Sequence, residues 1–190
     1  MSNSIITEPY YRFNDVLERW VSLDSWTYSR QFSLPSPAFK NHSSKVFLVA
    51  QGLDTVANIT INQRLIASTD NMFRRYIVPV DPSILRENPD GNLITVSFQS
   101  ACDYANQQAL AYPYPVPTDD NVPLQSGEPN RNFVRKEQCS FSWDFAGAFP
   151  GQGIWKKIFL VSLAPGSIFI TDLIPKIQAK AASASSGRIS

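Results

Sequence analysis

Side chains able to do chemistry are concentrated between residues 133 and 155. The run Phe133-Val134-Arg135-Lys136-Glu137-Gln138-Cys139-Ser140-Phe141-Ser142-Trp143-Asp144-Phe145 places aromatic residues at 141, 143 and 145. A spacing of two puts them on one face of a strand. Asp144 then points to the other face, or sits at a bend where the strand ends. A carboxylate flanked by aromatic rings suits a hexose: the ring face packs on the C–H face of the pyranose, and the carboxylate accepts paired hydrogen bonds from adjacent hydroxyls. Gly147, Gly151 and Gly153, with Pro150, permit a tight, exposed turn just after it. The same pattern also fits a core, because alternating Phe and Trp are more often buried than displayed. An Asp beside a glycine-rich turn often caps that turn. Spacing alone leaves both readings open.

The elements that must position these residues read as strands. Lys45-Val46-Phe47-Leu48-Val49-Ala50 is a short apolar run suited to a buried strand. Ala57, Ile59 and Ile61 alternate with Val56, Asn58 and Thr60. Asn62-Gln63 interrupts and Leu65-Ile66-Ala67 resumes, which predicts a hairpin. Tyr76-Ile77-Val78-Pro79-Val80 is a strand whose proline confines it to an edge or a bulge. Leu93-Ile94-Thr95-Val96-Ser97-Phe98 follows a turn at Pro89-Asp90-Gly91-Asn92. Residues 154–163 read as one further strand, and 167–171 as a last one. Helical signals are few: one turn each at Asn14-Asp15-Val16-Leu17 and at residues 82–86, and a short helix over residues 102–111. Many short strands separated by turns predict a β-sandwich. Residues 113–129 hold five of the fourteen prolines and read as a long loop. Residues 179–190 are rich in Ala and Ser and read as a disordered tail.

Composition excludes several classes. The 190 residues are 43% hydrophobic, and Phe 12, Tyr 7 and Trp 4 are too many for a disordered chain. Lys+Arg 17 against Asp+Glu 16 leaves no field for nucleic acid or an anionic membrane. No apolar run reaches the roughly 20 residues of a membrane helix. The first nine residues show neither a basic segment nor an apolar core, so no secretory signal is visible. Cys102 and Cys139 could form one bridge or stand as two buried thiols. His42 is the only histidine and is expected to be exposed in a polar loop, so neither a metal site nor a Ser-His-Asp triad is expected. Asn41-His42-Ser43 and Asn58-Ile59-Thr60 fit the N-glycosylation pattern.

Several words of the sequence, in order from about residue 10 to residue 163, carry a family resemblance. They are Arg12-Phe13-Asn14-Asp15-Val16, Trp26-Thr27-Tyr28-Ser29, Gly52-Leu53-Asp54-Thr55-Val56, Asp70-Asn71-Met72-Phe73-Arg74-Arg75-Tyr76, Phe98-Gln99-Ser100-Ala101, Asn132 through Asp144, and Gln152-Gly153-Ile154-Trp155-Lys156. The chain resembles the N-terminal sugar-binding domain of the β-mannosidases of glycoside hydrolase family 2. Arg135-Lys136-Glu137-Gln138-Cys139-Ser140-Phe141-Ser142-Trp143-Asp144 is the most specific of these words.

The resemblance implies an all-β, galactose-binding-like jelly roll over residues 1–178, ahead of the disordered tail at 179–190. It implies that the catalytic glutamates, an acid/base and a nucleophile, sit on a (β/α)₈ barrel outside this chain. The five glutamates here, Glu8, Glu18, Glu87, Glu128 and Glu137, include no Asn-Glu pair of the family's acid/base type. The expected role is therefore to complete a mannose pocket, with no catalytic residue in this chain and no cofactor. Trp143 would border the sugar and Asp144 would bind its outer hydroxyls. Phe145 stands where the family carries a second Trp, keeping an aromatic wall without the indole N–H. From the residues themselves, Glu137 and Arg135 are expected to pair, as a structural salt bridge rather than a part of the site, and Cys139 to pack as a small hydrophobe. The implied partners are a mannose-containing oligosaccharide and the catalytic barrel. The implied location is the lysosome, with the cytoplasm as the alternative. A freestanding carbohydrate-binding module and a purely structural jelly roll with Trp143 buried are the rival readings.

Overall fold

The computed structural model describes residues 5–35, 39, 43–87, 91–114, 116, 127–142 and 147–178. Among these residues, nine strands and three α-helices follow in chain order. They are α1 (Asn14–Leu17), α2 (Trp20–Leu23), β1 (Trp26–Phe32), β2 (Lys45–Ala50), β3 (Leu53–Asp54), β4 (Ala57–Ile61), β5 (Arg64–Thr69), β6 (Tyr76–Val80), β7 (Asn92–Phe98), α3 (Ala101–Ala111), β8 (Gly153–Ile154) and β9 (Ile158–Leu163). Short 3-10 turns occupy Pro82–Ile84, Arg131–Phe133 and Gln138–Phe141.

Two antiparallel sheets form the sandwich, in the orders β1-β7-β4-β5 and β6-β2-β9, with β3 and β8 pairing separately. Alternation dictates which side chains turn inward. Val46, Leu48 and Ala50 of β2 meet Ala57, Ile59 and Ile61 of β4 and Val96 and Phe98 of β7 in one buried cluster. Each large aliphatic buried there contributes about 1.5–3 kcal/mol. This is the β-sandwich expected from the strand pattern, and it agrees with the all-β jelly roll that the resemblance implies.

The β4–β5 hairpin turns on Asn62 and Gln63, both left-handed at φ 50 and 68, the backbone of a type I′ turn. The Asn62 side chain makes that strain tolerable. Its amide donates to Ile84 O at 2.7 Å and Asn92 Oδ1 at 2.9 Å, and its oxygen accepts from Leu93 N at 2.9 Å. Pro79 lies exposed on β6, an edge strand, the place in a sheet where proline is tolerated.

Three expectations change. Residues 154–163 are two strands: β8 pairs β3 and β9 pairs β2, because the chain steps between partners at Trp155-Lys156-Lys157. Residues 167–171 form no strand. Strand β1 and helix α2 carry no periodic apolar signal, and β1 is a largely exposed edge, so alternation did not reveal it. Most of the proline-rich stretch at 113–129, His42, and the tail at 179–190 lie outside the described residues. No helix among the described residues is long and apolar enough to cross a membrane.

Candidate functional site

The words that carry the resemblance lie far apart in the chain and converge in space. Asp54, in β3, pairs with Gly153 of β8. Lys136 brings its fully buried ammonium onto Asp54 Oδ2 and also donates to Glu137 Oε1 at 2.9 Å. The Thr55 hydroxyl donates to Asp54 Oδ1. Burial pushes the Asp54 carboxyl above its ordinary range, and the Lys136 ammonium opposes that push. Arg135 bridges Asn71, and its carbonyl accepts from Met72 N at 3.0 Å. The Glu137 N–H meets the Met72 sulfur at 3.0 Å. Phe73, two-thirds exposed, and Asn132, Arg135 and Glu137 line a cleft of about 390 Å³ at this junction.

From Glu137 the chain runs into the Gln138–Phe141 turn and is fastened on both sides. Phe141 is fully buried against Ala101, Cys102 and Ala105 of α3 and against Val134. Its carbonyl accepts from Glu128 N at 2.9 Å, and Phe149 N donates to Ser140 O at 2.7 Å. Glu128, itself buried, takes a bidentate pair from Arg19 of the N-terminal segment, at 2.5 and 3.1 Å. Ser142 is buried, at φ 107, a backbone that non-glycine residues rarely hold. Its carbonyl accepts from Arg131 at 3.3 Å.

On the far side of residues 143–146 the chain is equally constrained. Gly147 lies against α1 so closely that a Cβ would stand 2.5 Å from the Asp15 carboxylate. Phe149 packs on Tyr10 with ring centroids 4.8 Å apart, and Pro150 is buried. The Gln152 side-chain amide donates to Asp24 O at 2.9 Å, and its backbone carbonyl accepts from the Tyr28 hydroxyl at 3.0 Å. The structure thus fastens both flanks of residues 143–146. Trp143, Asp144 and Phe145 themselves, and Asn41, lie outside the described residues. Asn58 sits exposed on β4, accepting from Ser68 Oγ at 2.6 Å.

Several local expectations are corrected. Phe141, expected to share a strand face with 143 and 145, instead ends a 3-10 turn, because it is buried under α3 and the left-handed Ser142 follows it; residues 143–145 lie outside the described residues. Glu137 pairs with Lys136, the adjacent cation that burial turns inward, and not with Arg135. Cys139 is exposed, whereas Cys102 is buried, and both are free thiols. Of the glycine turn, Pro150 is buried and only Gly151 stands open. The Asp54–Lys136 pair was not found from sequence. Both residues lie inside quoted words, but nothing local links positions 82 apart. Among the described residues, no group of three or more His, Cys, Asp or Glu could hold a metal ion.

A family model described as the glycosyl hydrolase 2 galactose-binding domain-like family matches residues 1–156. The chain belongs to that family. The β-mannosidase of Rattus norvegicus is 46% identical over 157 residues, which cover 82% of this chain and 17% of the rat protein. The β-mannosidase A of Aspergillus aculeatus is 36% identical over 177 residues, 91% of this chain and 18% of the fungal one. The crystal structure of the β-D-mannosidase from Dictyoglomus thermophilum superposes with a TM-score of 0.75 at 30% identity, covering 86% of this chain and 19% of that one. This glycosyl hydrolase 2 domain therefore spans less than a fifth of the length of these relatives. Its fold is the galactose-binding-like jelly roll.

Proposed function

We propose that this chain is the N-terminal domain of a β-mannosidase, an enzyme that removes terminal, non-reducing β-D-mannose from oligosaccharides. The observation that carries the reading is that animal and fungal relatives named β-mannosidase match more than four-fifths of the chain at 36–46% identity. On this reading the glutamates that cut the glycosidic bond belong to a catalytic barrel elsewhere in the longer protein. This domain supplies Trp143 and Asp144 to the mannose pocket, with Phe145 as a third, purely apolar wall. The described flanks support it, because Ser142 and Gly147 on either side are packed into the framework of the domain. The lysosome is the proposed location, and glycosylation at Asn58 or Asn41 would accompany it.

The test is made in the full-length enzyme. Asp144→Asn should lower kcat/KM for an aryl β-D-mannoside by about 100-fold, the loss expected when a charged acceptor of sugar hydroxyls is removed. The circular dichroism spectrum and Tm should stay unchanged. The 190-residue chain alone should give no turnover. Wild-type kcat/KM in the variant, or turnover by the chain alone, would refute the proposal.

A further inference from the structure

The outer face of the β1-β7-β4-β5 sheet is uncharged over two neighbouring rows. In the first, Asn58 of β4 stands opposite Ser68 of β5 and Ser97 of β7, and Ser97 stands opposite Thr27 of β1. The next row runs through Ser29, Thr95, Thr60 and Leu65. Ala57, Ile59 and Ile61 turn into the core, so alternation along β4 sends Asn58 and Thr60 outward together. Asn58, Ser68, Ser97 and Thr27 are all exposed. Side chains opposite one another across a sheet stand about 4.5–5.5 Å apart, so short hydroxyl neighbours leave the space above Asn58 open. Asn58 Oδ1 accepts from Ser68 Oγ at 2.6 Å, and Thr27 Oγ1 donates to Ser97 Oγ at 3.2 Å. Asn58 Nδ2 makes no hydrogen bond among the described residues.

We propose that Asn58 carries an N-linked glycan, and that this row of the sheet is open to solvent in the assembled enzyme. The proposal rests on the lysosomal location proposed above, because N-glycans are added on the secretory route, and it commits to Asn58 on geometry. Asn58-Ile59-Thr60 fits the acceptor pattern. The fold adds what the pattern by itself lacks: an unbonded acceptor nitrogen, the Thr60 hydroxyl on the same face, and no charged side chain in either row. In the transfer, Nδ2 attacks the anomeric carbon of a polyprenyl-diphosphate oligosaccharide. The N–C bond forms as the C–O bond to the diphosphate breaks. Nδ2 gives up one proton to a base, and the polyprenyl diphosphate leaves. Strand β4 is paired on both sides, so transfer comes before the sheet closes. Once the sheet has formed, the first sugar stands over the hydroxyls of Ser68 and Ser97. The row offers a protein partner little apolar area to bury, and a bulky hydrophilic group on it keeps other protein away.

Peptide mapping of the full-length enzyme from its own cells tests this. Trypsin separates the two acceptor patterns, placing Asn41 in residues 41–45 and Asn58 in residues 46–64. Enzymatic removal of N-glycans in heavy-oxygen water turns each carrier Asn into a labelled Asp. The label should appear at position 58, vanish in Thr60→Ala and return in Thr60→Ser. A label that survives Thr60→Ala is spontaneous deamidation and would overturn the proposal. An unlabelled Asn58 beside a labelled Asn41 would overturn it too, and would leave the lysosomal reading intact. With neither site labelled the proposal falls as well, and fractionation of the cells then shows separately whether the lysosomal reading falls with it.

Discussion

Lys136 is fully buried, and its ammonium closes on Asp54, a residue 82 positions earlier in the chain. The contact joins the β3–β8 pair to the segment that leads through the 138–141 turn to Ser142. Removing the cation leaves a buried carboxylate with no counter-charge. Lys136→Met should therefore destabilise the domain by about 3–5 kcal/mol at neutral pH. The deficit should shrink on acidification, because the Asp54 carboxyl, already pushed up by burial, takes a proton. The double variant Asp54→Asn/Lys136→Met should recover part of the loss. Urea denaturation at pH 5 and 7 measures all three quantities.

The two cysteines should separate cleanly. Cys102 sits in the α3 cluster, and burial pushes its thiol up to about 12, so it holds almost no thiolate at pH 8. Cys139 is exposed. An aromatic disulfide reagent should titrate one thiol in the native protein and two in denaturant. Two fast native thiols would mean that α3 does not shield Cys102.

Glu18 accepts hydrogen bonds from the Thr7 N–H, the Thr7 hydroxyl and Trp20 Nε1, and these hold its carboxyl below the ordinary 4.5. A lowered folded value means that the folded state binds this proton less readily than the unfolded one. The contact therefore adds stability above pH 4.5 and loses it as the pH falls through the folded value. The Thr7 amide should exchange faster on acidification below that point, by more than intrinsic chemistry predicts. Glu18→Gln should flatten this pH dependence.

At the hairpin, Gln63 holds φ 68 with its side chain exposed. Glycine adopts that backbone without the Cβ penalty. Gln63→Gly should stabilise the domain by about 0.5–1 kcal/mol, read as a rise in Tm. Asn62→Gly should not help, since it forfeits the hydrogen bonds to Ile84, Asn92 and Leu93.

Where one face is buried and the other wet, the elements were legible. The alternation of Ala57, Ile59 and Ile61, the apolar run of β2, and Pro79 on an edge all appear as read. Strand β1 was not legible, because an exposed edge strand needs no apolar period; its register comes from β7, pairing Trp26 with Phe98. The apparent aromatic strand through Phe141 misled for the opposite reason. Its spacing was that of a strand, but Phe141 is buried by α3, an element 30 to 40 residues upstream that spacing does not consult.

Local physics, written along the chain, determined the strand-rich class, the hairpin turn and the family words, since side-chain period and turn chemistry act between near neighbours. Only the folded arrangement decided that Asp54, Asn71, Arg135 and Lys136 meet at one junction, that Glu137 faces Lys136 rather than Arg135, and that an apolar stretch after Leu163 is left uncovered. Burial of a charge is a property of the surrounding shell, and that shell is assembled from segments whose separation in sequence carries no record of their nearness in space.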